Sequence, residues 1–112
     1  VGQYMGSGQQ QAKGVILIPK ATTHMVFDMT VVVLRCQIMV KGLQYQVEHA
    51  EGYTYNIRVN YAATNLEQKV LACGNPRVNI KDFKILKYVQ KEDEIQLVSK
   101  PGNWNGTFRH MK

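Results

Sequence analysis

The sequence lacks the long apolar run that would cross a membrane, and it is poor in cysteine, proline and tryptophan. It has two cysteines, three prolines and one tryptophan. Since a membrane-spanning helix needs roughly 18 or more consecutive apolar residues, we predict no transmembrane segment. No secretory leader pattern is present. The chain begins at Val1 rather than at Met, so either a leader has been removed or the chain is an excised piece.

The motifs of the common enzyme classes are also missing. The sequence contains no GxSxG, no HExxH, no phosphate-binding loop and no EF-hand loop. Its two cysteines lack the CxxC spacing of a zinc site. The histidines His24, His49 and His110 are scattered among predicted turns and the tail, and no nucleophile is spaced to pair with them. We therefore predict a non-enzymatic protein with no metal site and no cofactor.

Acidic residues are scarce, and the balance of charge is basic. Eight Asp and Glu stand against 14 Lys and Arg, giving a net charge of +6. Such a field favours anionic partners, although ordinary solubility explains the same charge. Lys81, Lys84, Lys87 and Lys91 belong to the main basic stretch. They are candidate phosphate or glycan contacts, and a solvated strand face is the alternative.

Alternation of apolar and polar side chains is the main pattern that is present. From Tyr53 to Tyr61 the odd-numbered residues are apolar or aromatic and the even-numbered residues are polar, which is the period of a strand with one buried face. Leu43–Glu48 alternates in the same way, and Gly52 lies between the two runs, which predicts a hairpin. The charged Gln90–Glu94, followed by the apolar Ile95–Val98, suits a second hairpin. About seven such runs, separated by turn residues, predict an all-β fold, either a small antiparallel β-sandwich or a β-barrel.

Three other segments are assigned on weaker patterns. Thr30–Val40 is the longest apolar run and predicts a central strand, with a bend or bulge near Thr30–Val32 because the apolar phase changes there. Gln68–Cys73 predicts a further strand. Val78–Tyr88 fits a strand or a helix capped by Asn79, and its β-branched and aromatic content favours the strand.

The domain organisation is simple. A chain of 112 residues is the size of one domain. Residues 1–13 are rich in Gly and Gln with few apolar side chains, so we predict a flexible N-terminal arm followed by a single β-domain over 14–112. Within that domain, Trp104–Lys112 either packs back on the core or adds an edge strand.

The two cysteines suggest a covalent staple. Cys36 lies on the apolar face of the predicted central strand and therefore points inward. If Cys73 faces it, a cross-sheet disulfide would stabilise the domain by about 4 kcal/mol. Such a bond implies an oxidising compartment, so we expect a secreted or extracellular protein. The alternative is a pair of unrelated reduced thiols in a cytoplasmic protein.

Two binding functions remain open. The leading hypothesis is a recognition domain, secreted or cell-exterior, whose partner is a protein or an acidic surface. The alternative is an OB-like module for single-stranded nucleic acid, in which Tyr53 and Tyr55 stack on bases beside Arg58, Lys84 and Lys87. The same tyrosines fit equally the core face of a strand, so the sequence leaves their role open.

Overall fold

Eight antiparallel strands form a closed barrel in which each strand pairs with its neighbour in sequence and β8 pairs with β1. The computed structural model describes residues 2–6, 10–18, 25–62 and 64–111. The all-β prediction is confirmed, and the fold is the barrel of the two predicted architectures, with eight strands where about seven were expected. The strands are β1 (Gly2–Gly6), β2 (Ala12–Ile18), β3 (Val26–Val33), β4 (Cys36–Glu51), β5 (Thr54–Asn60), β6 (Ile85–Val89), β7 (Glu94–Ser99) and β8 (Trp104–Met111).

The two ends of the barrel differ. At one end, which we call the helix end, lie the α-helix α1 (Leu66–Cys73), a 3-10 helix (Ile80–Phe83) and the turns at 34–35 and 100–103. At the other, the tyrosine end, lie the turns at 52–53 and 90–93. Residues 19–24, between β2 and β3, are outside the described residues, and they include His24, one of the three histidines considered above. Neither helix is long and apolar enough to cross a bilayer, within the residues that the structure describes.

The helix end is filled by apolar packing. Leu66 and Val70 of α1 and Phe83 of the 3-10 helix are buried against the barrel core. The Trp104 ring lies 6.2 Å from that of Phe83, and its indole nitrogen donates a hydrogen bond to the Arg77 carbonyl at 2.8 Å. Because a buried indole N–H needs a partner, this bond makes the burial of Trp104 favourable.

A disulfide joins Cys36 to Cys73, as predicted. The expected cross-sheet geometry is wrong, because Cys73 is the last residue of α1 and is exposed, whereas Cys36 at the start of β4 is buried. The bond therefore fastens the end of the helix to the barrel wall.

The predicted strand Gln68–Cys73 is instead helix α1. Leu, Glu, Gln, Lys and Ala are all good helix formers, and they make up most of this segment. Leu66 and Val70, four residues apart, bury one face of the helix. Gly74 ends it with φ 69°, a left-handed conformation that glycine adopts without steric cost, and its N–H bonds the Leu71 carbonyl.

The prediction of an N-terminal arm is wrong for the described residues of 1–13. Strand β1 pairs with β2 on one side and with β8 on the other, so it closes the barrel. Beyond the last β1–β8 pair, the side-chain amide of Gln10 donates to the Thr107 carbonyl at 3.0 Å and accepts from the Thr107 N–H at 2.8 Å. A side-chain amide thus continues the ladder as a backbone amide would, which composition alone does not indicate.

The predicted strand Thr30–Val40 is a hairpin rather than one strand. Leu34 and Arg35, with φ 48° and 72°, form the tight turn between β3 and β4, and two left-handed residues suit the twist of a hairpin. The bulge in the β3–β4 pairing does not lie at Thr30–Val32, where it was predicted. It falls where Asp28 faces the Lys41–Gly42 segment, and the Asp28 carboxylate accepts the Gly42 N–H at 2.9 Å.

The remaining hairpins follow the prediction. β4 pairs with β5 across the turn at Gly52, and β6 pairs with β7. The ambiguous segment Val78–Tyr88 contains both alternatives, since the 3-10 helix is capped by Asn79 and β6 follows. The C-terminal segment adds β8, which is a closing strand rather than an edge strand.

Candidate functional site

A cavity of about 270 Å³ opens inside the tyrosine end of the barrel. Its floor is apolar, since Ile18 and Ile57 are buried, and its walls are mainly aromatic. We call it the tyrosine cup. Strand alternation explains its composition, because inward-facing positions of several strands converge at a barrel mouth. Its lining consists of Tyr4, Ile18, Tyr45, Val47, Tyr55, Ile57, Tyr88 and Gln90.

The rings of the cup are inclined to one another at different angles. The centroids of Tyr4 and Tyr88 are 6.4 Å apart with the planes at 89°. Tyr55 and Tyr88 are also 6.4 Å apart, with the planes at 38°. Ring faces and edges of different orientation therefore surround the same small volume.

A hydrogen-bond network around Asp93 holds two of these rings. The hydroxyls of Tyr4 and Tyr88 both donate to the Asp93 Oδ1, at 2.9 Å and 2.8 Å. The Nδ1 of His110 lies 2.7 Å from Oδ2 of the same carboxylate. The His110 ring also stacks on Tyr4, with centroids 4.9 Å apart. One carboxylate thus fixes side chains from β1, β6 and β8.

The backbone presents Asp93 to these partners. Asp93 has φ 53° at the end of the β6–β7 turn, a left-handed conformation in which aspartate is enriched. Its N–H donates to the Gln90 carbonyl at 3.2 Å, and its own carbonyl accepts the His110 N–H at 3.2 Å. The turn and β8 therefore hold the carboxylate in place from two directions.

Shifted pKa values concentrate at the cup. Burial raises the pKa of Tyr4, Tyr45 and Tyr88, and hydrogen bonds to Asp93 raise those of Tyr4 and Tyr88 further. Burial pushes the pKa of Asp93 upward, but the hydrogen bonds from Tyr88, Tyr4 and His110 outweigh it and the pKa lies below its usual value. Such clustering is typical of functional sites, although structural networks also produce it.

The geometry suits binding better than proton transfer. Asp93 already holds three hydrogen-bonding partners. The Nε2 of His110 lies against Gly2, where an added Cβ would approach it to 2.2 Å, and His110 is not among the lining residues. The described residues also contain no group of three His, Cys, Asp or Glu side chains that would hold a metal ion. The cup presents aromatic faces and hydroxyls to a ligand.

Two larger grooves on the barrel are weaker candidates. One of about 490 Å³ is lined by polar side chains such as Gln44, Gln46 and Asn60. The other, of about 420 Å³, lies between Arg58 and Lys84. Arg58 borders both grooves and is paired with Glu48 at 2.9 Å, where both side chains are about half exposed. An exposed ion pair of this kind contributes little energy.

The residues proposed from sequence lie at different places. Tyr55 lines the cup, whereas Tyr53 is 63% exposed at the β4–β5 turn. The cations are dispersed: Arg58 faces outward on β5, Lys81 and Lys84 are at the helix end, Lys87 is on the outer face of β6, and Lys91 is in the turn at the tyrosine end.

The sequence reasoning missed most of the cup. Tyr4 lies in the segment predicted as an arm, and His110 in the tail. Tyr88 and Asp93 flank a predicted hairpin turn, so their proximity was the one signal in the sequence that pointed to the network.

Comparisons with known protein families, curated proteins and solved structures find no match for this chain.

Proposed function

We propose that this chain is a non-enzymatic binding protein that takes a small organic molecule in the tyrosine cup. The observation that carries the proposal is the cavity of about 270 Å³ with an apolar floor and four tyrosines in its wall. Ligand sites are typically concave and mostly apolar, with a few convergent polar groups. Eight-stranded barrels are just wide enough to hold one small ligand.

The Asp93 network supports this proposal. It fixes the rings of Tyr4 and Tyr88 before any ligand arrives. A site whose side chains are already ordered loses less conformational entropy on binding. The network therefore prepares the cup for a ligand rather than only stabilising the barrel.

Titration with N-phenyl-1-naphthylamine, an uncharged fluorophore that brightens in apolar pockets, tests the proposal. We expect saturable binding to the wild type, at least about tenfold weaker binding to Tyr55→Ala, and unchanged binding to Tyr53→Ala. The two tyrosines are two positions apart, and only Tyr55 lines the cup. Absence of saturable binding, or equal losses in both variants, would contradict the proposal.

A second candidate function is contact with an anionic surface or nucleic acid at the helix end. The observation that favours it is a group of exposed cations there, while Glu51 and Glu92 are exposed at the tyrosine end. Lys91 and Arg109 are also exposed at the tyrosine end, but among the described residues the exposed cations of the helix end are more numerous. A denser positive field at one end orients an anionic partner toward it. The group comprises Lys13, Arg35, Lys81, Lys84 and Lys100.

Charge reversal tests the second candidate. Lys84→Glu is expected to weaken binding to an oligothymidylate of about 20 nucleotides and to vesicles containing phosphatidylserine, and to reduce the salt dependence of both. Lys91→Glu makes the same charge change at the opposite end and serves as the control. Equal effects of the two variants would mean that net charge alone, and not the helix end, drives binding.

A secreted or cell-exterior location is part of the proposal. The Cys36–Cys73 disulfide supports it, because such bonds persist in oxidising compartments. A thiol assay on protein taken from its native compartment tests it, and two titratable thiols would contradict it.

A further inference from the structure

We infer that the tyrosine cup is selective for organic cations, namely small molecules that carry an ammonium group on an apolar or aromatic body. This inference rests on the proposed function and names the ligand class of the same site. It follows from the electrostatics of the cup wall and from the lack of a cationic side chain among the lining residues that the structure describes.

The aromatic wall of the cup can attract a cation. A cation within about 6 Å of an aromatic ring centroid is attracted to the negative face of the ring, and this attraction grows when the site excludes water. Tyr4 and Tyr88 are perpendicular at 6.4 Å, and Tyr55 lies at the same distance from Tyr88. Rings at such angles present both faces and edges around one point.

The Asp93 carboxylate strengthens this attraction. The hydroxyls of Tyr4 and Tyr88 donate hydrogen bonds to it. A phenol that donates to a carboxylate gains electron density in its ring, so the ring faces become more attractive to a cation. The carboxylate also places a negative charge at hydrogen-bond distance from two lining tyrosines, with His110 on its other oxygen. Its pKa is below the usual value, so it is ionised at neutral pH.

The side chains around the cup favour a cation over an anion. The lining residues include no Lys, Arg or His, as far as the described residues go. Glu51 and Glu92 are exposed at the same end of the barrel. Lys91, in the same turn as Glu92, and Arg109 on β8 are exposed there too, but neither lines the cup. The described part of the wall offers no positive partner to an anionic ligand, and an uncharged ligand would gain only the apolar contact.

A set of near-isosteric ligands tests the inference. Phenyltrimethylammonium, its uncharged isostere tert-butylbenzene and the anion benzenesulfonate are titrated into the full chain and followed by ¹H–¹⁵N NMR. We expect the cation to bind at least about tenfold more tightly than tert-butylbenzene, and benzenesulfonate not to bind. Equal affinity for the cation and the uncharged isostere would overturn the inference and leave the proposed function standing. No binding by any of them, together with no binding of N-phenyl-1-naphthylamine, would overturn both.

Two variants separate the electrostatic contribution from the shape of the cup. Tyr55→Leu keeps an apolar side chain but removes the ring, so it should weaken the cation about tenfold and change tert-butylbenzene little. Tyr53→Leu is the matched control. Asp93→Asn keeps an oxygen acceptor and suits the positive φ of this position. It should reduce the affinity for the cation alone. If Asp93→Asn does not fold, the Tyr55 and Tyr53 pair decides, and equal losses for both ligands in Tyr55→Leu would contradict the inference.

Discussion

The helix end and the tyrosine end of the barrel are filled differently. At the helix end the interior is filled by apolar side chains such as Phe83 and Trp104, and a disulfide fastens α1 over it. At the tyrosine end the interior is lined by hydroxyl-bearing rings and a carboxylate around a cavity. Apolar filling stabilises a fold most, whereas a site requires open space and partly buried polar groups. The helix end therefore contributes most of the apolar packing, and the tyrosine end has the cavity that we propose as the ligand site.

Removal of the largest buried side chain should break the helix end. Trp104→Ala leaves a cavity and frees the Arg77 carbonyl that its indole nitrogen contacts. We expect a loss of about 3–5 kcal/mol in the free energy of unfolding, measured by urea denaturation. Tyr53→Ala at the exposed turn should change it by less than about 0.5 kcal/mol. A Trp104→Ala loss below that of an ordinary surface change would contradict the assignment of stability to this end.

Loss of the disulfide should weaken the same end without disturbing the cup. The Cys36→Ala/Cys73→Ala double variant releases a loop with a sequence separation of 37 residues. We expect a loss of about 2–4 kcal/mol in unfolding free energy. Binding of N-phenyl-1-naphthylamine should be unchanged under conditions where the variant is folded. A parallel loss of binding would mean that the two ends are coupled.

The Gln10 side chain should contribute a smaller amount at the seam of the barrel. Gln10→Ala removes the side-chain amide that donates to the Thr107 carbonyl and accepts from the Thr107 N–H. Because those backbone groups then lack their partner, we expect a loss of about 1–3 kcal/mol in unfolding free energy. Gln3→Ala, at an exposed position of β1, is the matched control. Equal small effects would show that the side chain does not act as a ladder partner.

Substitution of Asp93 at the tyrosine end should have the smallest effect on the free energy of unfolding, and this effect should depend on pH. The pKa of Asp93 is lower in the folded protein than in the unfolded chain. Ionised Asp93 therefore stabilises the fold at pH values above its unfolded pKa of about 4, and this stabilisation is lost as the pH falls through the folded pKa. Asp93→Asn should therefore flatten the decline of stability between about pH 5 and pH 2, measured by denaturation at each pH. Glu92→Gln, one residue earlier in the same turn, is the control. An unchanged acid limb in Asp93→Asn would contradict the network.

Local sequence patterns predicted most of the strands but not the closure of the barrel. Alternation identified the β4–β5 hairpin because one face of each strand is buried. The β3–β4 turn was missed because Leu34 and Arg35 are not turn-forming residues, although both adopt positive φ. The arm prediction failed because Gln10 makes backbone-like hydrogen bonds through its side chain. A period of two specifies strands, and it does not specify that the first strand meets the last.

The candidate site depends on that closure. Tyr4 contacts Tyr88, Asp93 and His110 only because β1 pairs with β8. These residues come from opposite ends of the chain, so no spacing in the sequence joins them. The disulfide was predictable from an inward cysteine, whereas the cup emerged only with the barrel.

Chemical-shift mapping tests the division between the two ends most directly. Indole, a small uncharged aromatic molecule, is titrated into the ¹⁵N-labelled wild type. The expected result is saturable shifts of the Tyr55, Tyr88 and Asp93 amides, with the Val70 amide and the Trp104 indole N–H unmoved. Saturable shifts at Val70 and Trp104 without shifts at the tyrosine end would contradict the account.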